Sequence, residues 1–328
     1  MDYKYKQLVD LFLFEKEANF TKKTYEYYSS CLRYFTDYLV GYLHKSPDDI
    51  YITDINNGVL NHYTMYLRNK PYAINIPNSS AKEHLQHEDT RHITNTTIAT
   101  YQRAVRAFFR WCWENEYTEK NIAQRYRLLK SDAPDKLPLY SNEVEKIDSL
   151  FNVACESGLR NICILHLMLD AGLRSGEVVR LKISDLLFDK NIIFINCSKG
   201  LKSRYVPLSP GIKSYLYKYR VLYRGSADDT DILFMSVADN VPITDNVIKQ
   251  LFQRIKKRTG ITRVHPHLCR HTFATSYVLG GGDLESLRIY MGHSDITTTS
   301  KYLHLANTYR FMDADVYKLD KVFFKRYY

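Results

Sequence analysis

Tyr302 stands nine residues after His293 in Met291-Gly292-His293-Ser294-Asp295-Ile296-Thr297-Thr298-Thr299-Ser300-Lys301-Tyr302. Ahead of it come Arg174, Lys199 and the cluster His267-Leu268-Cys269-Arg270-His271. The chain has 28 tyrosines, so one phenol alone means nothing. In this company it could attack a phosphodiester. The transition state of that attack spreads negative charge over the non-bridging oxygens, which fixed guanidinium groups neutralise. A phenol with its ordinary pKa of about 10 needs help losing its proton, and the departing oxygen needs a donor. Two arginines and a lysine on the phosphate make a metal unnecessary, and no carboxylate cluster for magnesium stands out.

Each residue also has a plainer reading. Arg174, in Ala171-Gly172-Leu173-Arg174-Ser175-Gly176-Glu177, could be a surface arginine paired with Glu177 three residues on. Lys199, in the turn Ser198-Lys199-Gly200-Leu201-Lys202-Ser203-Arg204, could be a solvated turn lysine, and Lys202 rivals it in the same loop. His267 and Arg270 share a helical face. His265, His267, Cys269 and His271 also resemble metal ligands, with His267 and His271 at the i,i+4 spacing of helical zinc sites. No second ligand pair and no adjacent Glu support that, and no metal or cofactor is expected. His293, after Met291-Gly292, could cap a helix, and Tyr302 could pack as an amphipathic tyrosine.

The elements that position these groups are mostly helical. Over residues 1–130, Leu8, Leu11 and Phe12, then Tyr25, Tyr28, Leu32, Phe35 and Leu39, recur at helical spacing, with Thr21 as an N-cap. A helix is predicted near 57–68. A long loop covers 70–95, where Pro71, Pro77 and Ser79-Ser80 break the pattern. Thr96 or Thr97 is expected to cap a helix through Tyr101, Val105, Phe108, Phe109 and Trp113, with Arg103, Arg106 and Arg110 on its other face. Two prolines and mixed charge at 131–138 mark an interdomain linker.

Beyond it, helices are predicted near 141–157 and 160–170. β-rich runs at 185–188, 191–196 and 204–208 suggest a small antiparallel sheet turning at Asp189-Lys190-Asn191 and Ser198–Leu201. Ser209-Pro210 opens a helix, Thr244 caps one ending at Gly260, and His265-Pro266 opens another closed by Gly280-Gly281-Gly282. Asp283 and Asp295 cap two short helices before a tail helix near 313–324. There is no internal repeat or low-complexity segment.

The 328 residues suffice for two domains, and 45% hydrophobic with 25% charged residues is ordinary for a globular protein. The net charge of +10 favours a polyanionic partner. Residues 131–328, with 28 basic and 21 acidic side chains, hold +7 of it, which puts the stronger pull beside the motifs. Cys31, Cys112, Cys155, Cys163, Cys197 and Cys269 are scattered without a CxxC pair, which points to reduced thiols rather than disulfides or a zinc ribbon. No signal peptide or membrane-length apolar run is read, so a cytoplasmic protein is expected.

Arg in G-L-R-x-x-E, Lys in a β-hairpin, H-x-x-R, then G-H and a tyrosine nine positions on resemble the tyrosine recombinases, the phage integrase family. The motif match runs over about 171–304. The resemblance implies a mainly α fold with a small antiparallel sheet: a helical core-binding domain (1–130), a linker (131–140) and a mixed α/β catalytic domain (141–328). It implies a site-specific DNA recombinase in which Tyr302 attacks the scissile phosphate, giving a 3′-phosphotyrosine and a free 5′-hydroxyl. Arg174 and Arg270 would bind the non-bridging oxygens and His293 would hydrogen-bond the same phosphate. His267 would help take the tyrosine proton, and Lys199 would donate one to the 5′-oxygen. The covalent link conserves bond energy, so neither ATP nor metal is needed.

Arg103, Arg106, Lys202 and Arg204 are the further DNA-contacting candidates. The expected partners are double-stranded DNA with specific core sites and a homotetramer, in a bacterial or phage-like, nucleoid-associated setting; the apolar tail helix would dock on a neighbouring protomer or fold back on its own domain. A 70–95 loop longer than the compact Xer-like plan, and no separate arm-binding domain read ahead of the core-binding helices, point to a mobile-element enzyme. A type IB topoisomerase-like relaxase, Xer-like dimer resolution and a non-catalytic DNA binder are the alternatives.

Overall fold

The computed structural model describes residues 2–69, 92–130, 137–196 and 203–312, with side chains described as far as Ala306. The chain divides into two compact units, residues 1–134 and 135–328, each with its own core. The expected mainly helical chain with one small antiparallel sheet is what the structure has.

The first unit packs α1 (Tyr5–Asn19), α2 (Lys22–Leu43), α3 (Asn57–Asn69) and α4 (Asn95–Glu114) around an aromatic core. Phe12 meets Phe108 edge-on at 5.6 Å, and Phe35 meets Tyr63 at 4.8 Å, the offset geometry that ring quadrupoles favour. Thr21 caps α2 as expected, accepting from the amide of Thr24. The cap of α4 is Thr94, which accepts from the Thr97 amide, so the helix begins earlier than Thr96 or Thr97 would allow. Leu11 and Trp113 are exposed rather than core. Trp111, three residues after Phe108, takes the inner position and donates its indole N–H to Glu15. Arg103, Arg106 and Arg110 lie exposed on the opposite face of α4. Residues 70–91 of the expected long loop lie outside the described residues.

The second unit is built around α6 (Glu156–Leu169), buried from Gly158 to Leu169. α5 (Ser141–Asp148) is shorter than the expected 141–157, because Asn152 turns the chain. Its side chain accepts from the Ala154 amide at 3.0 Å, and its carbonyl accepts from Cys155 at 3.2 Å. Of the expected linker, residues 131–136 lie outside the described residues. The stretch after them is held by this unit: the Arg263 guanidinium donates to the carbonyls of Leu137 and Pro138, and the Leu139 amide donates to Thr272.

After α7 (Ser175–Val178) come β1 (Leu186–Leu187), β2 (Ile192–Ile195) and β3 (Arg204–Pro207), antiparallel in that order, with Ile193 opposite Val206 and Ile195 opposite Arg204. Then follow α8 (Pro210–Tyr223), α9 (Asp245–Thr259), α10 (Pro266–Leu279), α11 (Leu284–Met291) and α12 (Ile296–Met312). Ser209, His265 and Asp283 each cap the helix they precede through a side-chain acceptor. Thr244 precedes α9 without a side-chain cap bond. Asp295 accepts from the Thr297 amide, and the helix it opens is 17 residues long rather than short. The tail segment 313–324 lies outside the described residues. No described helix is long and apolar enough to cross a membrane.

Candidate active site

The turn that ends α11 organises the site. A helix C-terminus leaves carbonyls without intrahelical partners and carries the negative end of the helix dipole. Here four consecutive carbonyls, 290 to 293, each accept from a different arginine. Arg204 Nε donates to Tyr290 at 2.7 Å, Arg270 Nη2 to Met291, Arg174 Nη2 to Gly292 at 3.1 Å, and Arg288 Nη1 to His293 at 3.0 Å. Gly292 makes the turn possible: its φ is +58°, and a Cβ there would lie 3.0 Å from Arg204 Nη1.

Arg174 reaches this turn from the loop before α7. Gly172 precedes it at φ +63°, with the Phe273 ring where a Cβ would stand. Glu177 fixes Arg174 twice, accepting from its amide at 2.8 Å and from Nη1 at 3.0 Å. The ion pair that could have made Arg174 an ordinary surface residue is therefore present. Its other η nitrogen nevertheless points to the α11 turn, and the side chain remains about one-third exposed (32%).

Arg270, on α10, is buried. It donates to the carbonyls of Gly172 and Met291, tying the two arginine-bearing segments together. Burial, then the charges of Arg174 and Arg204, pull its pKa down to about 9, so it stays a cation at neutral pH. Its Nη2 also lies 3.3 Å from His293 Nε2. His293 Nδ1 lies 2.9 Å from the Thr299 hydroxyl. Burial and then the Arg270 and Arg174 charges lower the imidazole's pKa to about 4, leaving it neutral.

Tyr302 stands on α12 beside this cluster. Its ring lies 6.5 Å from that of His293, nearly parallel at 8°, and 5.3 Å from that of His271 at 45°. Burial raises the phenol's pKa, while the charges of Arg270 and Arg174 oppose the rise. Arg174, Arg270, His293 and Tyr302 thus come together from four separate segments of the chain.

The other expected residues are placed differently. His267 is exposed in the first turn of α10, whereas Arg270 is buried. The ring packed on Tyr302 is that of His271, one helical turn further on, which sequence reasoning weighed only as a metal ligand. Cys269, between them, is fully buried, so it and exposed His267 point to different environments. Among the described residues no group of three or more His, Cys, Asp or Glu is arranged to hold a metal ion. Lys199 and Lys202 lie outside the described residues.

Arg204 requires a correction. It was expected to face DNA, but its guanidinium is buried and forks onto both Glu177 oxygens at 2.9 Å. Burial alone would raise the Glu177 pKa. Arg204, and then Arg174, outweigh it and hold the carboxyl down to about 2. Glu177 itself was seen only as a partner of Arg174. Its link to Arg204 depends on strand pairing that no local motif reports.

Residues 139–308 match the family model described as the phage integrase family, and residues 7–128 match the phage integrase SAM-like domain. Tyrosine recombinase XerC of Bacillus pumilus is 28% identical over 259 residues, covering 74% of this chain and 85% of that protein. XerC of Pediococcus pentosaceus is 30% identical over 225 residues, 66% of this chain and 73% of that protein. Among solved structures, the Tn1549 transposon integrase in complex with circular intermediate DNA aligns with a TM-score of 0.68 at 18% identity, covering 94% of this chain and 98% of that one. The XerH site-specific recombinase bound to a palindromic difH substrate aligns at 0.66 and 21% identity, covering 93% and 82%. Identities this low speak to the fold alone. The two family matches and the XerC relatives carry the assignment: this chain belongs to the phage integrase family, the tyrosine recombinases.

Proposed function

We propose that this protein is a site-specific DNA recombinase that cuts and rejoins duplex DNA through a 3′-phosphotyrosine on Tyr302. The observation that carries the reading is the convergence of Arg174, Arg270 and His293 beside the Tyr302 ring. Two guanidiniums held on backbone carbonyls are preorganised for the non-bridging oxygens of a phosphate and need little rearrangement as charge develops. Their field also favours the phenolate over the phenol. Tyr302 attacks phosphorus, its proton passes to a neighbouring base, and the 5′-oxygen leaves with a proton from Lys199. His267 is the base the family pattern indicates, and His271 is the imidazole that packs on the phenol ring. Attack of a 5′-hydroxyl from a second duplex on the phosphotyrosine reverses the chemistry and releases the enzyme.

A helical core-binding domain and the catalytic domain each contact the duplex. Exposed Arg103 and Arg106 contribute phosphate contacts, and four protomers pair two core sites. A role in integrating and excising a mobile element is favoured by the long 70–95 segment. The second reading is an Xer-like role, dimer resolution, which the similarity to proteins named tyrosine recombinase XerC favours. A cytoplasmic, nucleoid-associated setting belongs to this reading.

The test uses duplexes drawn from the DNA flanking the gene, each nicked so that the 5′-end diffuses away after cleavage. The expected result is a protein–DNA adduct through the 3′-phosphate at one sequence, and joint molecules when two intact sites are mixed. Relaxed circles with no site requirement and no joint molecules would point to a topoisomerase instead. Transposon ends or flanking repeats beside the gene would distinguish the mobile-element role from chromosome maintenance.

A further inference from the structure

We infer that Arg204 is a positioning residue for the cleavage step, the buried support on which Arg174 and the His293 turn are aligned. The inference rests on the recombinase reading above. Three observations lead to it. Arg204 opens β3, two residues after Lys202, and pairs across the sheet with Ile195. Its fork takes both oxygens of Glu177, the carboxylate that fixes the Arg174 amide and Nη1. Its Nε donates to the Tyr290 carbonyl, and its guanidinium packs where a side chain on Gly292 would be, directly under the turn that leads to His293.

One buried side chain therefore links three segments: strand β3, the Arg174 loop and the α11 turn. Arg174 spans the last two from the exposed side, bonding Glu177 and the Gly292 carbonyl. Arg204 spans them from below. At 5% exposure it has no surface to offer a DNA phosphate. Its three bonds are directional, so lysine, with one compact ammonium, cannot hold Glu177 at both oxygens and the Tyr290 carbonyl together. A misplacement of Arg174 by about 1 Å is enough to slow chemistry on the order of 100-fold.

The experiment measures single-turnover adduct formation on the nicked duplex at saturating protein, alongside DNA affinity as a function of salt, for Arg204→Lys and Glu177→Gln. The expected result is a cleavage rate lower by roughly 10- to 100-fold with affinity and salt slope unchanged. In an Arg174→Ala background the Arg204→Lys change should slow cleavage far less than it does in wild type, since both act on one alignment. A lowered affinity and salt slope with a normal saturated rate would make Arg204 a DNA contact and overturn the proposal. So would a lower melting temperature with a wild-type rate measured well below it, which is what a purely structural role gives.

Glu177→Gln keeps the shape of the carboxylate and serves if Arg204→Lys does not fold. A wild-type rate in that variant also overturns the proposal. A readout independent of turnover is the NMR signal of the Arg174 Nε–H and the His293 imidazole. Both should shift in Arg204→Lys, and their constancy would refute the positioning role even if no adduct were found. Loss of the recombinase reading is recognised separately, by the unaltered protein forming no adduct on any duplex or one that persists in Tyr302→Phe.

Discussion

Arg270 Nη2 lies 3.3 Å from His293 Nε2. A guanidinium can only donate, so this imidazole nitrogen accepts, and the proton of the neutral ring sits on Nδ1, facing the Thr299 hydroxyl. His293 in the free protein is therefore oriented but carries no Nε2 proton to offer a phosphate. An anion between Arg174 and Arg270 would relieve their repulsion of the imidazolium and draw a proton onto Nε2.

His293 should titrate near its depressed value of about 4 in the free protein and higher when DNA occupies the site. Imidazole nitrogen shifts measured against pH with and without duplex give the answer. The sign for stability follows: between 6.5 and about 4 the unfolded chain binds more protons at this residue, so His293 removes stability as pH falls through that range. A His293 that titrates near 6.5 with and without duplex would show that the arginines do not depress it.

The contact of His271 with Tyr302 should matter through its ring. His271→Ala is expected to slow adduct formation by about tenfold, because the phenol loses a wall of its seat, and His271→Phe should recover most of the rate. If both substitutions are equally slow, an imidazole nitrogen is what the step requires.

Away from the site, His166 on α6 is buried between Asp148 at 3.0 Å and Asp170 at 3.0 Å. Burial alone would lower its pKa, but the charge of Asp170 and the bonds to both carboxylates raise it to about 10. Its contribution to stability is complete below 6.5 and disappears as pH rises through about 10. Melting temperatures between these limits should fall for the wild type and fall less for His166→Gln, which lacks the titrating group. Parallel slopes in the two proteins would show that other groups cause the alkaline loss.

Arg103 and Arg106 are exposed on α4, free of the core. If each meets a phosphate, Arg103→Ala and Arg106→Ala should each reduce the slope of log affinity against log salt by about one, nearly uniformly across DNA sequences. An unchanged slope in both would take α4 out of the DNA interface.

Much of this architecture is legible locally. Thr21, Ser209 and Asp283 announce helix starts because a side-chain acceptor before an apolar pattern has one common use. Gly172 and Gly292 announce turns through the backbone conformations they permit. The misses come from competition that no local pattern resolves. Thr94, Thr96 and Thr97 are all chemically fit to cap α4, and only helix phase favours Thr94. Trp111 and Trp113 differ by two positions, and packing on α1 decides between them.

Arg204 is different, since a signal was available. It sits two residues before Val206 on one strand and so shares its inward face. Its charge suggested solvent, and the buried Glu177 that makes an inward arginine tolerable lies 27 residues away. His271 was hidden in the same way, because its contact with Tyr302 joins α10 to α12.

The central claim is that Tyr302 is the nucleophile. Mass spectrometry of the peptide that remains attached to DNA after cleavage of a nicked duplex tests it most directly. The expected product is a nucleotide linked through its 3′-phosphate to Tyr302, with no adduct from Tyr302→Phe at unchanged DNA affinity. An adduct on any other residue, or one that survives in Tyr302→Phe, would contradict it.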